Sequence, residues 1–264
     1  MTVFFCDMEG FTSLSEGMTP AGMVNVVNRY LAVMSEPIRE RHGIIDKYIG
    51  DAIMAFWGPP FSGPDEHARL ACMAALEQLE RLKSFRAELP DLMGIKRGLP
   101  HIDMRIGIAT GEVVVGNIGS DVSMSYTVMG DTVNFASRIE SANKVYGTRI
   151  LIDAGTADQA RDAVAVREID SFLVAGKREP QKVFEVLGPA GPLSTERQPL
   201  ADRYAKGLAA YRRCAWAEAE AAFRACLEIA PDDGPSQTLL SRIAHLAVDP
   251  PSDDWNGVWT LSEK

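Results

Sequence analysis

Two aspartates stand at positions where their carboxylates could hold hard metal ions. Asp7 lies near the end of Thr2 to Met8, an apolar run of β-forming residues that predicts a buried strand. Asp51 follows Gly50 between two further β-forming runs, a pattern that predicts a hairpin. In a split βαβ sheet these two points are neighbours, and the carboxylates would repel each other unless a divalent cation lay between them. Aspartate is also common in ordinary turns, but the pair in these two contexts favours metal binding.

A second polar pair falls on a predicted helix. Residues 131–146 place apolar side chains at helical spacing, and Asn134 and Arg138 are four residues apart within that stretch. Side chains four residues apart share one face of a helix, so this pair could contact one ligand together. By spacing alone, an ordinary solvated helix face is the simpler interpretation.

The elements that must position these residues follow a definite order. The predicted strands are residues 2–8, 44–49, 52–57, 102–109, 112–115, 149–153 and 182–187, and the predicted helices are residues 20–43, 65–89 and 131–146. We expect residues 102–109 and 112–115 to pair with each other around Gly111. The order strand, helix, strand, strand, helix, strand is the split βαβ (ferredoxin-like) arrangement. It predicts an α+β fold with a mainly antiparallel sheet and with helices packed on one face.

The chain changes character after residue 188. Residues 189–199 contain proline and glycine and predict a linker, and residues 200–264 predict a small α-helical extension that is rich in alanine at its start. Four residues of the extension match the spacing of one tetratricopeptide repeat: Gly207, Ala219, Phe223 and Pro231. A lone repeat cannot bury its own apolar face, so we expect the extension to dock on another surface.

Bulk properties exclude several classes of function. The formal net charge of -9 argues against non-specific binding of nucleic acid, which needs a basic surface. No apolar run approaches the ~18 residues that a membrane span requires, so we predict no membrane segment in this chain. None of the four cysteines belongs to a C-x-x-C pair, which disfavours zinc and indicates reduced thiols in the cytoplasm. A core strand that starts at the second residue suggests an upstream regulatory region, because chain termini usually fray.

The segments that contain the two polar pairs also match a known family. They are FFCDMEGFT (Phe4 to Thr12), GDAIMAFWG (Gly50 to Gly58) and YTVMGDTVNFASR (Tyr126 to Arg138). Two more segments match equally well, DMRIGIATGEVVVGNIG (Asp103 to Gly119) and VAGK (Val174 to Lys177). Together these segments resemble the class III adenylyl/guanylyl cyclase family, whose members form a cyclic nucleotide and pyrophosphate from a nucleoside triphosphate.

The resemblance covers residues 2–187 and implies a class III nucleotide cyclase catalytic domain over residues 1–188. Family members work as head-to-tail dimers with two shared sites and two divalent metal ions in each. The resemblance therefore implies a homodimer in which Asp7, Asp51 and the backbone carbonyl of Met8 hold two Mg²⁺ (or Mn²⁺) ions. It also matches Arg105 to the arginine that binds the terminal phosphates.

The resemblance assigns four more residues to the half of each site that the second protomer supplies. Lys47 and Thr127 match the positions that recognise the purine. Asn134 matches the residue that orients the ribose, and Arg138 matches the residue that stabilises charge on the α-phosphate. Lys47 can donate to adenine N1 and Thr127 can accept from the N6 amine, whereas guanine reverses both polarities. We therefore expect ATP as substrate. With Thr127 at this position, the chain resembles a subgroup of bacterial adenylate cyclases that have threonine where other members have aspartate.

One segment departs from the family pattern. Many members have a phosphate-binding lysine directly before the glycine of the VAGK segment, where this chain has Ala175. Lys177, two residues later, is the candidate replacement. The departure concerns the strength of triphosphate binding rather than the class of reaction.

Three alternatives differ from an adenylate cyclase in testable ways. A guanylate cyclase typically has other residues at positions 47 and 127. A diguanylate cyclase should have a GGDEF-like hairpin, where this chain has Ile49-Gly50-Asp51-Ala52. An inactive nucleotide-binding or dimerisation module should have lost a metal aspartate, the asparagine or the arginine, and this chain has them all. The tail resembles extensions of bacterial membrane-anchored cyclases, which suggests an upstream sensor domain and a place at the cytoplasmic face of a membrane.

Overall fold

The computed structural model describes residues 1–16, 18–95, 101–173, 179–252, 255 and 257–259. The strands are β1 (Thr2–Glu9), β2 (Ile44–Ile49), β3 (Ala52–Trp57), β4 (Asp103–Thr110), β5 (Val114–Ser120), β6 (Ser123–Met129), β7 (Ile150–Asp153), β8 (Val164–Phe172) and β9 (Gln181–Pro189). The helices are α1 (Phe11–Glu16), α2 (Pro20–Glu40), α3 (His67–Met93), α4 (Asp131–Tyr146), α5 (Ala154–Gln159), α6 (Arg197–Arg212), α7 (Trp216–Ile229) and α8 (Gly234–Val248).

Seven strands form one sheet, in the order β2-β3-β1-β4-β7-β9-β8, and β5 and β6 form a separate two-stranded ribbon. Neighbouring strands of the large sheet are antiparallel except for β4 and β7, which are parallel. This arrangement confirms the predicted α+β class with a mainly antiparallel sheet. The parallel pair follows from the crossover through α4, since parallel neighbours need a long connection that is usually helical.

The helix boundaries near the predicted site have local causes. Thr19 caps α2, because its hydroxyl accepts a hydrogen bond from the Gly22 N–H at 3.2 Å, and Pro20 occupies the first helical position. Proline suits that position, where its missing N–H is not needed. Gly147 ends α4 with a left-handed backbone (φ 64°), a conformation that glycine adopts without steric strain. The helix over 131–146 is therefore confirmed at both ends.

Two details of the sequence prediction are wrong. The first is that helices pack on one face: α2 and α3 cover one face of the large sheet, and α4 covers the other. The cause is visible in β1, where Phe4 and Cys6 pack toward α2 and α3 while Val3 packs toward α4. Since successive side chains of a strand point to opposite faces, a strand that is apolar throughout needs cover on both sides.

The second error concerns residues 112–115, which do not pair with β4 around Gly111. The strand begins instead at Val114 and pairs with β6, from Val114↔Met129 to Ser120↔Ser123. This hairpin stands apart from the large sheet, and most of its side chains are exposed. Its polar, glycine-containing outer part lacks the apolar alternation that marks a half-buried strand, so the pattern did not reveal it.

The C-terminal helices dock on the sheet face that α4 covers. Their buried residues, among them Tyr204, Phe223 and Leu239, join the same apolar cluster as Phe135 and Ile139 of α4. The expectation that the extension docks rather than standing alone is thus confirmed. Among the described residues, no helix is long and apolar enough to cross a membrane.

A buried polar network reinforces this docking. Arg242 of α8 donates to Asp170 of β8 and to the Tyr146 hydroxyl of α4, the latter at 3.1 Å. Tyr146 donates in turn to Asp170 at 2.7 Å. Arg242 and Asp170 are almost wholly buried, and a buried ion pair is costly to break from one side, because the remaining charge loses its partner.

We predict that Arg242→Ala lowers the free energy of unfolding by about 3–5 kcal/mol, the usual cost of leaving one charge of a buried pair unpaired. Arg224→Ala is the matched control, because Arg224 forms an exposed pair with Glu220 one helical turn away. Such exposed pairs contribute about 0–1 kcal/mol. Urea denaturation of both variants measures the difference, and equal losses would show that the buried network does not anchor α8.

Candidate active site

The strand order brings Asp7 and Asp51 together. β1 pairs with β3 as far as Cys6↔Ile53, so Asp7 lies just beyond that ladder, beside the turn that contains Asp51. Gly50 has a left-handed backbone in this turn (φ 65°), which glycine adopts readily. Burial and the neighbouring Asp7 carboxylate raise the pKa of Asp51 to about 6. The predicted proximity of the two carboxylates is confirmed. Two neighbouring carboxylates repel each other when both are ionised, which is why Asp7 raises the pKa of Asp51.

Met8 lies next to this pair and is buried. Its backbone N–H hydrogen-bonds the Asp51 carboxylate. In the sheet, Met8 pairs with Met104 of β4. The β1–β3 ladder ends before Met8. Its backbone therefore lies beside the two aspartates, and the role of its carbonyl as a metal ligand stays a prediction.

Arg105 lies directly across from Asp7 in the β1–β4 ladder. Its Nη2 donates to Asp7 Oδ2 and its Nε donates to Glu140 Oε1 of α4, both at 3.1 Å. Burial raises the pKa of Glu140, and the positive charge of Arg105 opposes that rise. Arg105 is thus held between two carboxylates beside the aspartate pair, and its contact with terminal phosphates stays a prediction.

Sequence reasoning did not single out Glu140. A signal was present, because Ala136, Glu140 and Asn143 follow at helical spacing and both Ala136 and Asn143 are fully buried. An acid on the inward stripe of a helix needs a partner, and here that partner is Arg105. The arginine is 35 residues away in sequence, so only the fold identifies it.

Lys47 and Thr127 also come together, through a residue that the sequence reasoning missed. The Thr127 hydroxyl donates to Asp46 Oδ2 at 2.5 Å, and Lys47 Nζ lies 3.8 Å from Asp46 Oδ1. Thr127 is buried, whereas Lys47, within β2, is about half exposed. β6 of the ribbon therefore meets β2 at the two residues predicted to recognise a purine.

Asn134 and Arg138 lie in the first half of α4, one turn apart. Asn134 is exposed and Arg138 is half-buried, while Phe135 and Ile139 on the other side of the helix are buried. The two polar side chains therefore occupy the face that the helix does not use for packing. Lys177 and Ala175 lie outside the described residues, so the replacement of the family lysine stays a prediction.

The donor set at Asp7 and Asp51 fits a small divalent cation. Over the described ranges, no group of three or more His, Cys, Asp or Glu side chains is placed to hold a metal ion. Two carboxylates and a backbone carbonyl are what Mg²⁺ ordinarily receives from a protein, with substrate phosphates and water completing its shell. Burial and the Asp7 carboxylate raise the pKa of Asp51, and a bound cation would favour its ionised form.

Comparison with known proteins agrees with this geometry. The family described as "Adenylate and Guanylate cyclase catalytic domain" matches residues 1–187. "Adenylate cyclase 1" of Rhizobium meliloti (strain 1021) is 35% identical over 195 residues, which are 74% of this chain and 28% of the relative. "Adenylate cyclase" of Anabaena cylindrica is 42% identical over 189 residues, which are 70% of this chain and 36% of the relative. The chain thus spans about a third of the length of these relatives.

Two solved structures are also similar. The adenylyl cyclase CyaB from P. aeruginosa has a TM-score of 0.64 and 33% identity, and the match covers 73% of this chain and 96% of that one. The guanylyl cyclase Cya2 has a TM-score of 0.62 and 35% identity, covering 73% of this chain and 94% of that one. Since the family match spans well over half of the sequence and the fold agrees with these solved structures, the chain belongs to the class III adenylate and guanylate cyclases.

Proposed function

We propose that the protein is an adenylate cyclase that converts ATP to 3′,5′-cyclic AMP and pyrophosphate. The observation that carries the proposal is the juxtaposition of Asp7 and Asp51 with a raised carboxylate pKa, a site that attracts a cation and, with it, a triphosphate. The names of the two relatives support ATP as the substrate. The guanylyl cyclase Cya2 is similarly close in structure, so the base specificity is argued from the purine pocket.

In the proposed reaction the ribose 3′-oxygen attacks the α-phosphorus. A bond forms between these two atoms, the bond from the α-phosphorus to the bridging oxygen breaks, pyrophosphate leaves, and the hydroxyl proton passes to solvent. Metal ions held by Asp7, Asp51 and the Met8 carbonyl would lower the pKa of the attacking hydroxyl and neutralise the leaving group. We assign no side chain as general base.

The protein's own residues supply orientation and charge. Asn134 would hydrogen-bond the ribose and hold the 3′-oxygen in line with the bond that breaks, since orientation lowers the barrier. Arg138 would donate to the α-phosphoryl oxygens, where charge spreads in the transition state. Arg105, held by Asp7 and Glu140, would fix the Asp7 carboxylate and face the terminal phosphates, with Lys177 as a further candidate cation for them.

The purine pocket favours adenine in this proposal. Lys47 has only donors and suits adenine N1, and the Thr127 hydroxyl can accept from the N6 amine. Guanine presents a donor at N1 and an acceptor at O6, so both contacts would be mismatched. Mismatched buried polar groups are expensive, which makes GTP the poorer substrate.

We also propose that the active form is a homodimer with two shared, head-to-tail sites. Its support is a set of large apolar side chains that are exposed in the isolated chain on the β5–β6 ribbon and at the end of β2, namely Tyr48, Ile49, Val114, Met124, Tyr126 and Met129. Several large apolar side chains left exposed on one small element indicate an interaction surface. A two-fold dimer makes both sites equivalent. We propose the cytoplasm as its location, because the substrate ATP is available there.

The base specificity has a direct test. We predict that Lys47→Glu combined with Thr127→Cys lowers the kcat/KM for ATP and raises that for GTP, shifting their ratio by about 100-fold or more. The double change inverts the donor and acceptor positions of the pocket. Mass spectrometry of the cyclic AMP and cyclic GMP formed from equimolar ATP and GTP, with Mg²⁺ or Mn²⁺, measures the ratio.

The same assay on the unaltered protein tests the function itself. Cyclic AMP as the dominant product supports the adenylate cyclase, and cyclic GMP as the dominant product would make it a guanylate cyclase. Absence of both products with either metal would contradict the proposal and leave a nucleotide-binding or dimerisation module. An unchanged product ratio in the double variant would place base recognition elsewhere.

A further inference from the structure

The Asp46 side chain is buried at an irregular point of β2. The β2–β3 register shifts between Ile45 and Lys47, so Asp46 is the extra residue of a β-bulge. A bulge re-aims the side chain of the strand that contains it. The Asp46 side chain is 1% exposed although Lys47 beside it is 45% exposed, and a carboxylate so buried needs compensation from donors or cations.

The two carboxylate oxygens of Asp46 have different surroundings. Oδ2 accepts the hydrogen bond of Thr127 at 2.5 Å. Oδ1 is buried and has no hydrogen-bond donor within the described part of the chain, and Lys47 Nζ lies 3.8 Å from it. One carboxylate therefore touches both residues that the proposed function assigns to the purine.

The contact with Thr127 decides what its hydroxyl can offer a ligand. A hydroxyl has one proton to donate and two lone pairs that accept. An ionised carboxylate only accepts, so the proton of Thr127 is committed to Asp46. What Thr127 presents to the pocket is then lone pairs alone, which suit an amine and disfavour a carbonyl oxygen.

The contact with Lys47 acts in the same direction. The ammonium group has three donors and no acceptor, and it lies 3.8 Å from Asp46 Oδ1. One of its protons can turn to Oδ1, and the others stay available for a ring nitrogen that accepts.

We infer that Asp46 is a positioning residue for base selection, which makes Thr127 an acceptor beside the donor Lys47, and so selects a 6-aminopurine over a 6-oxopurine. This inference rests on the proposed function, because it assumes that Thr127 and Lys47 face the base. Asp46 itself need not touch the nucleotide.

The test is the binding of nucleotides that cannot cyclise, so that it does not depend on turnover. Asp46→Asn keeps the size of the side chain but supplies an amide that can donate to Thr127 Oγ1, which frees the threonine proton to point at the base. We expect the ratio of the Kd values for 3′-deoxy-GTP and 3′-deoxy-ATP, measured by calorimetry with Mg²⁺, to fall by about tenfold or more. Asp121→Asn, at the exposed tip of the same ribbon, is the matched control and should leave the ratio unchanged.

If the role of Asp46 were purely structural, Asp46→Asn would weaken the binding of all nucleotides alike. A third ligand separates this case from a role in orienting Thr127. The 3′-deoxy triphosphate of purine riboside lacks the 6-amine. Asp46→Asn should therefore raise the Kd of 3′-deoxy-ATP by about tenfold, while the Kd of the purine riboside analogue changes less than about twofold. In a Thr127→Val background, which has no hydroxyl to orient, Asp46→Asn should no longer change the preference for the amine.

The results distinguish this inference from the function on which it rests. A folded Asp46→Asn protein that keeps the adenine preference of the unaltered chain overturns the inference, even if cyclic AMP is formed. An unaltered chain that binds both 3′-deoxy nucleotides equally also overturns it. Selective binding that collapses in Asp46→Asn supports the inference even if no cyclic nucleotide is made, in which case only the proposed reaction fails.

Discussion

Asp7→Asn and Asp51→Asn should each reduce cyclic AMP formation by roughly 10²–10⁴-fold, because the metal contribution to the transition state amounts to several kcal/mol and needs both carboxylates. Asp51→Asn should not lower the free energy of unfolding without metal, whereas Asp7→Asn also loses the ion pair with Arg105. Since burial and Asp7 raise the pKa of Asp51 to about 6, the folded chain already disfavours two negative charges there, and a neutral amide of the same size removes the repulsion.

Initial rates at saturating Mg²⁺, together with urea denaturation with and without the metal, measure both parts of this prediction. Asp158→Asn is the matched control, since Asp158 lies on the surface and pairs only with Arg161 one turn away among the described contacts. It should retain full activity. A folded Asp7 or Asp51 variant that keeps more than about a tenth of the activity would remove the two-metal assignment.

Mixing two inactive proteins should restore activity if the sites are shared. Asp7→Asn damages the half of the site that supplies metal ligands, and Asn134→Ala damages the half that orients the ribose. After free exchange about half of the dimers are heterodimers, and each has one intact site and one doubly damaged site. We therefore predict recovery to about a quarter of the unaltered activity.

The control mixture contains Asp7→Asn and Asp51→Asn. Both changes fall in the same half of the site, so no heterodimer of these two has an intact site and the mixture should stay inactive. Native mass spectrometry verifies exchange in both experiments. If exchange is complete and the first mixture also stays inactive, all of the residues must act within one chain.

The elements predicted best from the sequence are those that depend on residues close to one another along the chain. β2 and β3 occur where their apolar runs and the Gly50-Asp51 turn placed them, and α4 begins and ends as expected. Each depends on local chemistry, namely a tight turn, short apolar runs of β-forming residues and a left-handed glycine. The short helices α1 and α5, of six residues each, were missed because so few residues show no periodicity.

The site was predicted only as far as its motifs extend. Asp7 and Asp51 could be placed together because the split βαβ arrangement makes the end of the first strand and the hairpin turn neighbours. Asp46 and Glu140 escaped notice because their partners are distant: Thr127 is 81 residues from Asp46, and Arg105 is 35 residues from Glu140. A β-bulge, which turns Asp46 inward, leaves no mark in a pattern of alternating residues.

The separate ribbon has a consequence for how assembly and substrate are related. Residues 119–126 at its outer end are exposed, and only Thr127 and Val128 near its base are buried. Two strands alone are marginally stable in water, so the free energy needed to order them would reduce the affinity of a nucleotide that contacts Thr127. A partner protomer that packs on the ribbon would order it beforehand and so raise the apparent affinity for nucleotide. Linkage is reciprocal, so the nucleotide would tighten the dimer by the same factor.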